Sequence, residues 1–129
     1  MIILDTNIVV AYFNGDERVV SKIVEKIYKI ALPALVIAEL DFGAKASRNS
    51  TRNLGKLNQF IELVQIVPFD LASARMLGTI KSRLRAIGKP TGEVDAMIAA
   101  VAMVHKAELI TGNIRHFQYI DGLKISSWI

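Results

Sequence analysis

With 129 residues the chain is long enough for one domain with a real core and too short for two. It is 52% hydrophobic, has a mean hydropathy of +0.36, and carries a formal net charge of +4 with a pI of about 9.5, a balance that tolerates a polyanionic partner without requiring one. The absence of cysteine excludes a disulfide framework and a thiolate metal site. The longest apolar runs, Ile30–Ala38 and Ala96–Val104, fall far short of the roughly 18–20 residues that span a bilayer. With no charged, cleavable leader pattern ahead of the first strand-like stretch, a cytoplasmic protein with no membrane partner is expected.

The chain opens on Ile2-Ile3-Leu4-Asp5-Thr6-Asn7. An apolar run without alternation suits a strand buried on both faces, as in a parallel sheet. Asp5 stands where that strand should end. Two readings fit it equally: it points into the crevice at the carboxyl end of the strand, where open α/β sheets bind ligands, or it caps the helix that begins near Thr6. Residues 8–13 read as a short apolar helix stopped by Asn14-Gly15. A second helix opens at Asp16 or Glu17 and runs to about Tyr28, with Val19, Val20, Ile23, Val24 and Ile27 on one face. Residues 30–32 form a second strand, and Pro33 leads into a helix over 34–46.

In that third helix Leu35, Ala38 and Phe42 share a face by i, i+3, i+7 spacing. Glu39 adjoins it, flanked by apolar residues like a core position. A surface carboxylate is the ordinary reading, but an ionised group in such surroundings needs a partner or a cation. Residues 47–53 are polar and basic and are expected to break the chain before a helix over 54–63. Lys45, Arg48, Arg52 and Lys56 could line one basic edge, read either as a solvated face, which is preferred, or as a rim for RNA phosphates.

A third strand covers 64–69, and Asp70 caps a long helix, 71–87, with Gly88 just past its end. Lys81, Arg83, Arg85 and Lys89 make that end basic, which the helix dipole alone explains. Thr91 is a plausible cap for a last helix, 95–106, whose residues 96–104 are all apolar; a helix apolar all round is buried. Glu93 and Asp95 fall in its first turn, where negative charge is favoured. A fourth strand, 108–111, ends in Gly112-Asn113; Arg115-His116-Phe117 forms one helical turn, and a fifth strand covers 123–125, with Trp128 packing late in the core. His105 and His116 read as structural or exposed. No repeat, linker or low-complexity tract divides the chain, so 1–129 is expected to be one domain.

Alternating strands and helices indicate an α/β fold with a parallel sheet and right-handed crossovers. Such a sheet gathers at one edge the residues that follow its strands. Asp5 and Asn113 follow strands directly, and Glu39 and Asp95 lie on helices that can lean over the same edge. Three carboxylates gathered without a cation would repel and raise one another's pKa. Hard oxygen donors without His or Cys favour Mg²⁺ or Mn²⁺. Carboxylate-held divalent ions at a crevice point to phosphoryl-transfer chemistry on a polyanion.

The motifs in order carry a resemblance. Leu4-Asp5-Thr6-Asn7 is similar to the first motif of the PIN-domain ribonucleases, and within them of the VapC-type toxins of toxin–antitoxin pairs. Ala38-Glu39-Leu40 with Gly43-Ala44 resembles the second motif, and residues 92–100, with Asp95 as the acid, the third. Residues 109–117, then Gly122-Leu123 and Trp128, resemble the C-terminal one. The resemblance implies a three-layer PIN-like fold with five parallel strands between helices. It implies Mg²⁺-dependent endoribonuclease activity, Mn²⁺ substituting, a homodimer, and a small VapB-type antitoxin partner. Asp5, Glu39 and Asp95 would be the catalytic metal-binding acids, and Thr6, Asn7, Glu93 and Thr111 would support them. Arg115 joins the basic residues that would contact RNA. The family often has a fourth acid where this chain has Asn113, whose amide oxygen can ligate but adds no charge. Two other readings remain: an inert PIN-like binding module, and a phosphatase of the haloacid dehalogenase kind. The latter needs a second aspartate where Asn7 stands.

Overall fold

A computed structural model describes residues 1–129. Five strands form one parallel sheet: β1 (Ile2–Leu4), β2 (Ile30–Pro33), β3 (Gln65–Val67), β4 (Glu108–Ile110) and β5 (Lys124–Ser126). Their spatial order is β3-β2-β1-β4-β5. Ile2 pairs with Ile30 on one side of β1 and with Glu108 on the other. The order runs outward from β1 in both directions, so the connections after β1 and after β4 diverge. That divergence places the topological switch point, where an α/β sheet opens a crevice, at the carboxyl end of the β1–β4 pair.

Six helices cover the sheet: α1 (Thr6–Phe13), α2 (Glu17–Lys26), α3 (Ala34–Ala46), α4 (Ser50–Leu63), α5 (Leu71–Ala86) and α6 (Glu93–Val104). No helix is long and apolar enough to cross a membrane. Ile3, Leu4, Ala31, Leu32, Leu109 and Ile110 are fully buried, as unalternated central strands require. The α6 helix is the most buried, with Ala96 and residues 98–102 out of solvent, and it packs against α5.

Local signals explain most boundaries. The Asp16 carboxylate accepts from the amides of Arg18 and Val19, and that of Asp70 from Ser73 at 2.9 Å, capping α2 and α5. At the end of α5, Gly88 has φ +67, a conformation that other residues adopt at a cost. It closes a Schellman turn in which Lys89 N donates to Leu84 O and Gly88 N to Arg85 O.

Three expectations need correction. The break after α3 is confined to residues 47–49, and α4 starts at Ser50 rather than 54. Ser47 terminates α3 through its hydroxyl, which donates to Ala44 O and accepts from Asn53 Nδ2; residues 51–52 are polar because that turn is solvated, not because it is irregular. In α3 the core face is Val36, Leu40 and Ala44, whereas Phe42 is 75% exposed and Ala38 is exposed. In a helix this apolar the period has two solutions, and only packing chooses between them. Thr91 does not cap α6: Gly92 holds that position without a side-chain bond, and the Thr91 hydroxyl donates to His116 O at 3.3 Å.

The burial of α6 gives a direct test. Ile98→Ala should lower unfolding free energy by about 2–5 kcal/mol, the usual range for a large-to-small change at a fully buried site, read as a lower urea midpoint at unchanged slope.

Candidate metal and phosphoryl-transfer site

Asp5 is both of the things its sequence position allowed. It follows β1 directly and caps α1, accepting from the Thr6 amide through Oδ1 at 2.8 Å. Its other oxygen faces the crevice and accepts from Asn7 Nδ2 at 3.1 Å and from the Thr111 hydroxyl at 2.7 Å. The Asp5 amide donates to Ile110 O, the last residue of β4. Asp5 is therefore stitched across the switch point to the strand on its far side. It is only 4% exposed, and every donor it meets is neutral. No lysine or arginine pairs with it or with Glu39.

The neighbours are fixed in turn. Thr111 is fully buried, and while its hydroxyl donates to Asp5 it accepts the Asn113 amide at 3.0 Å. Asn7 Oδ1 accepts the Gly112 amide at 2.7 Å. A Cβ at position 112 would come within 3.2 Å of Asn7 Oδ1 and Ile129 Cδ1, so glycine allows this close approach. Thr6 reaches the other way: its hydroxyl donates to Glu39 Oε1 at 2.7 Å. Glu39 is exposed at the rim of α3. Beside it a groove of about 380 Å³ runs between α1, α3 and α4, with Val10, Phe13 and Leu40 in its lining.

Asp95 approaches from the first turn of α6. Its carboxyl is pushed above the ordinary aspartate range, first by burial and then by the negative charge of Asp5; hydrogen bonding and charge from His116 oppose the shift. Oδ2 lies 3.0 Å from His116 Nδ1, a contact to which sequence reading gave no weight. The only available signal was that His116 follows the β4 end by one short turn. Glu93 faces α5 instead, where both of its oxygens accept from Lys81 Nζ at 3.0 Å. Asn113 is exposed and its side chain makes no hydrogen bond. No three acidic or histidine side chains stand close enough to form a ready-made metal cage. Asp5 and Glu39 are joined through Thr6, and Asp95 feels Asp5 through its field.

The basic edge of α3 and α4 is partly engaged. Lys45 pairs with Asp41 at 2.6 Å, and Lys56 Nζ donates to Phe13 O at 3.3 Å. Arg48 and Arg52 are exposed, as is Arg115 near Asp95.

This geometry has a recognisable class. The PIN-domain pattern matches residues 2–123, and the chain belongs to the PIN-domain family. Within the family its relatives are VapC proteins. It is 31% identical over 133 residues to ribonuclease VapC2 of Rickettsia felis, covering 97% of this chain and 96% of that protein. It is 31% identical over 100 residues to the tRNA(fMet)-specific endonuclease VapC of Shigella flexneri, covering 78% and 76%. Two crystal structures are similar throughout: VapBC2 of Rickettsia felis bound to a promoter DNA fragment (TM-score 0.92, 29% identity, all of both chains), and DNA-bound VapBC of Salmonella typhimurium (TM-score 0.93, 29%, covering 99% and 98%). The three-layer fold with its five parallel strands is that of these neighbours.

The raised pKa of Asp95 fixes a sign. Its ionisation is harder in the folded chain than in the unfolded one, so ionisation opposes folding. The penalty is absent below the unfolded value of about 3.9 and grows until pH passes the folded value, so stability is lost as pH rises through that window. Asp95→Asn should therefore raise the melting temperature relative to the parent at pH 7, and the difference should shrink towards pH 3. A variant no more stable than the parent at pH 7 would contradict this reading.

Proposed function

We propose that this protein is a metal-dependent endoribonuclease, the toxin of a toxin–antitoxin pair, hydrolysing RNA phosphodiester bonds at the β1–β4 crevice. The observation that carries the proposal is Asp5: a carboxylate 4% exposed, at a switch point, with no cationic partner and with Asp95 close enough to feel its charge. Buried charges are paired or hold metals. The donor set is hard oxygen throughout, which fits Mg²⁺ or Mn²⁺.

Asp5, Glu39 and Asp95 would hold the ion, with Asn113 as a neutral fourth donor. Bound there, a divalent ion supplies an activated water and stabilises charge on the attacked phosphate. The chain's own residues do the positioning. Thr111 and Asn7 fix the Asp5 carboxylate, Thr6 steers Glu39, and His116 holds one Asp95 oxygen. Because these bonds are made before substrate arrives, little reorganisation is left for the reaction itself. Asn7 is a hydrogen-bonding link between Asp5 and Gly112, a structural task that leaves the phosphatase reading without its second acid.

The family resemblance and the VapBC structures of its neighbours support a small antitoxin protein as partner. A symmetric homodimer is also proposed, since Val10, Phe42, Leu71 and Ile87 leave large apolar surface exposed on the single chain. Light scattering at micromolar concentration should give twice the chain mass; a monomer would count against it.

The decisive assay is cleavage of RNA against Mg²⁺ or Mn²⁺ concentration. The parent should cleave only with metal, and Asp5→Asn and Asp95→Asn should lose nearly all activity. Asn113→Asp should lower the metal concentration needed, because Mg²⁺ sheds water reluctantly and its affinity depends on ligand charge. Metal-independent cleavage, or full activity in Asp5→Asn, would sink the mechanism; no cleavage by the parent under any metal would leave the inert binding module.

A further inference from the structure

A second hollow, of about 340 Å³, opens beside Asp95 and shares no lining residue with the groove at Glu39. Its lining includes Asp95, Gly92, Lys89, Arg115, His116 and Tyr119. Whatever occupies it abuts one of the proposed metal-binding acids.

Its chemistry is particular. Lys89 and Arg115 are exposed and neither is ion-paired, although Glu93 lies nearby; that carboxylate is taken by Lys81. Lys89 Nζ stands 5.1 Å from the centre of the Tyr119 ring, and Tyr119 is 48% exposed with no hydrogen bond to its hydroxyl. The walls are pinned to each other: Thr91 donates to His116 O, and His116 Nδ1 meets Asp95. A larger basic hollow of about 580 Å³ shares Lys89 and continues to Arg85 and Lys81. Two cations without a carboxylate partner, a half-exposed aromatic ring over which one of them lies, and a basic exit adjoin Asp95. By contrast, two of the four basic residues along α3 and α4 are already bonded within the chain.

We propose that this hollow is a nucleotide subsite for single-stranded RNA, in which one base stacks on Tyr119, taking the place of Lys89 over the ring, while the displaced Lys89 and Arg115 hold the adjoining phosphates. Only an unpaired base can present its face to such a ring, so the subsite selects single-stranded segments. The hollow beyond Lys89 carries the strand away over Arg85. This inference rests on the ribonuclease reading and adds to it the residues that hold the substrate.

The test is binding of a short single-stranded RNA to the full chain without divalent ions, so that the RNA stays intact. It is repeated with the same oligomer carrying one abasic site at each successive position. Tyr119→Ala should weaken binding about tenfold or more, Tyr119→Phe should not, and the Tyr119→Ala penalty should vanish for the oligomer that lacks the stacked base. Lys89→Ala and Arg115→Ala should each reduce the salt slope by about 0.7. Lys29→Ala, at the opposite end of the sheet ahead of β2, should leave it unchanged. The subsite is overturned if Tyr119→Ala binds like the parent or weakens every oligomer equally, or if Lys29→Ala changes the slope as much as the other two. These results leave the ribonuclease reading standing if the parent still binds and cleaves RNA. A parent that neither binds nor cleaves RNA removes both.

Discussion

The hydrogen bond from Thr111 to Asp5 joins residues 106 positions apart and closes the point where the sheet's two halves diverge. A carboxylate at that depth is costly unless it is bonded, and the cost of leaving it unbonded is what disciplines its surroundings. Thr111 must donate to it, Asn7 must turn towards it, and Gly112 must lack a side chain so that Asn7 can sit between the two loops. The Asp5 amide bonding to β4 sets the register of the same pair. Fold and site are one construction here: the residues that end the central strands are those that face the crevice.

That construction leaves negative charge unbalanced. Asp5 bonds only neutral donors, and burial first, then the field of Asp5, raises the pKa of Asp95. Thr6 keeps Glu39 within reach without neutralising it. Natural proteins tolerate such local penalties at functional sites, where strain or repulsion is relieved by what binds. A divalent cation and the phosphates of a nucleic acid are a matched pair for this arrangement. In the proposed function a bound divalent ion would offset the acids, and Lys89 and Arg115 beside Asp95 would meet the polyanion that the acids repel.

The positive charge of the chain acquires a location from this. Its Lys and Arg residues are spread along the sequence, and net charge alone says only that a polyanion is tolerated. In the fold, the basic end of α5 and the turn after β4 meet beside Asp95. Lys89, explained by the α5 dipole when its helix is considered alone, also stands over Tyr119 from a different part of the chain. One residue can satisfy both demands, and only the second bears on the proposed RNA subsite.

The sequence by itself determined what depends on near neighbours. Unalternated apolar runs marked β1 and the burial of α6, Asp16 and Asp70 marked helix starts, and Gly88 marked a helix end, because strand burial, capping and left-handed backbone are local physics. The motif order also placed Asp5, Glu39 and Asp95 in their elements. Tertiary structure decided what depends on distant neighbours. It made Val36, Leu40 and Ala44 the core face of α3, with Leu35 packed at its margin and Ala38 and Phe42 left exposed, because an almost wholly apolar helix has more than one stripe to offer. It began α4 a turn early, since polarity in a solvated first turn does not oppose helix. It turned Glu93 to Lys81, gave Asp95 the histidine at 116, and set Tyr119 beneath Lys89. Each of these pairings joins side chains at least 12 residues apart, and side-chain partnership at that range follows from packing, which no local pattern encodes.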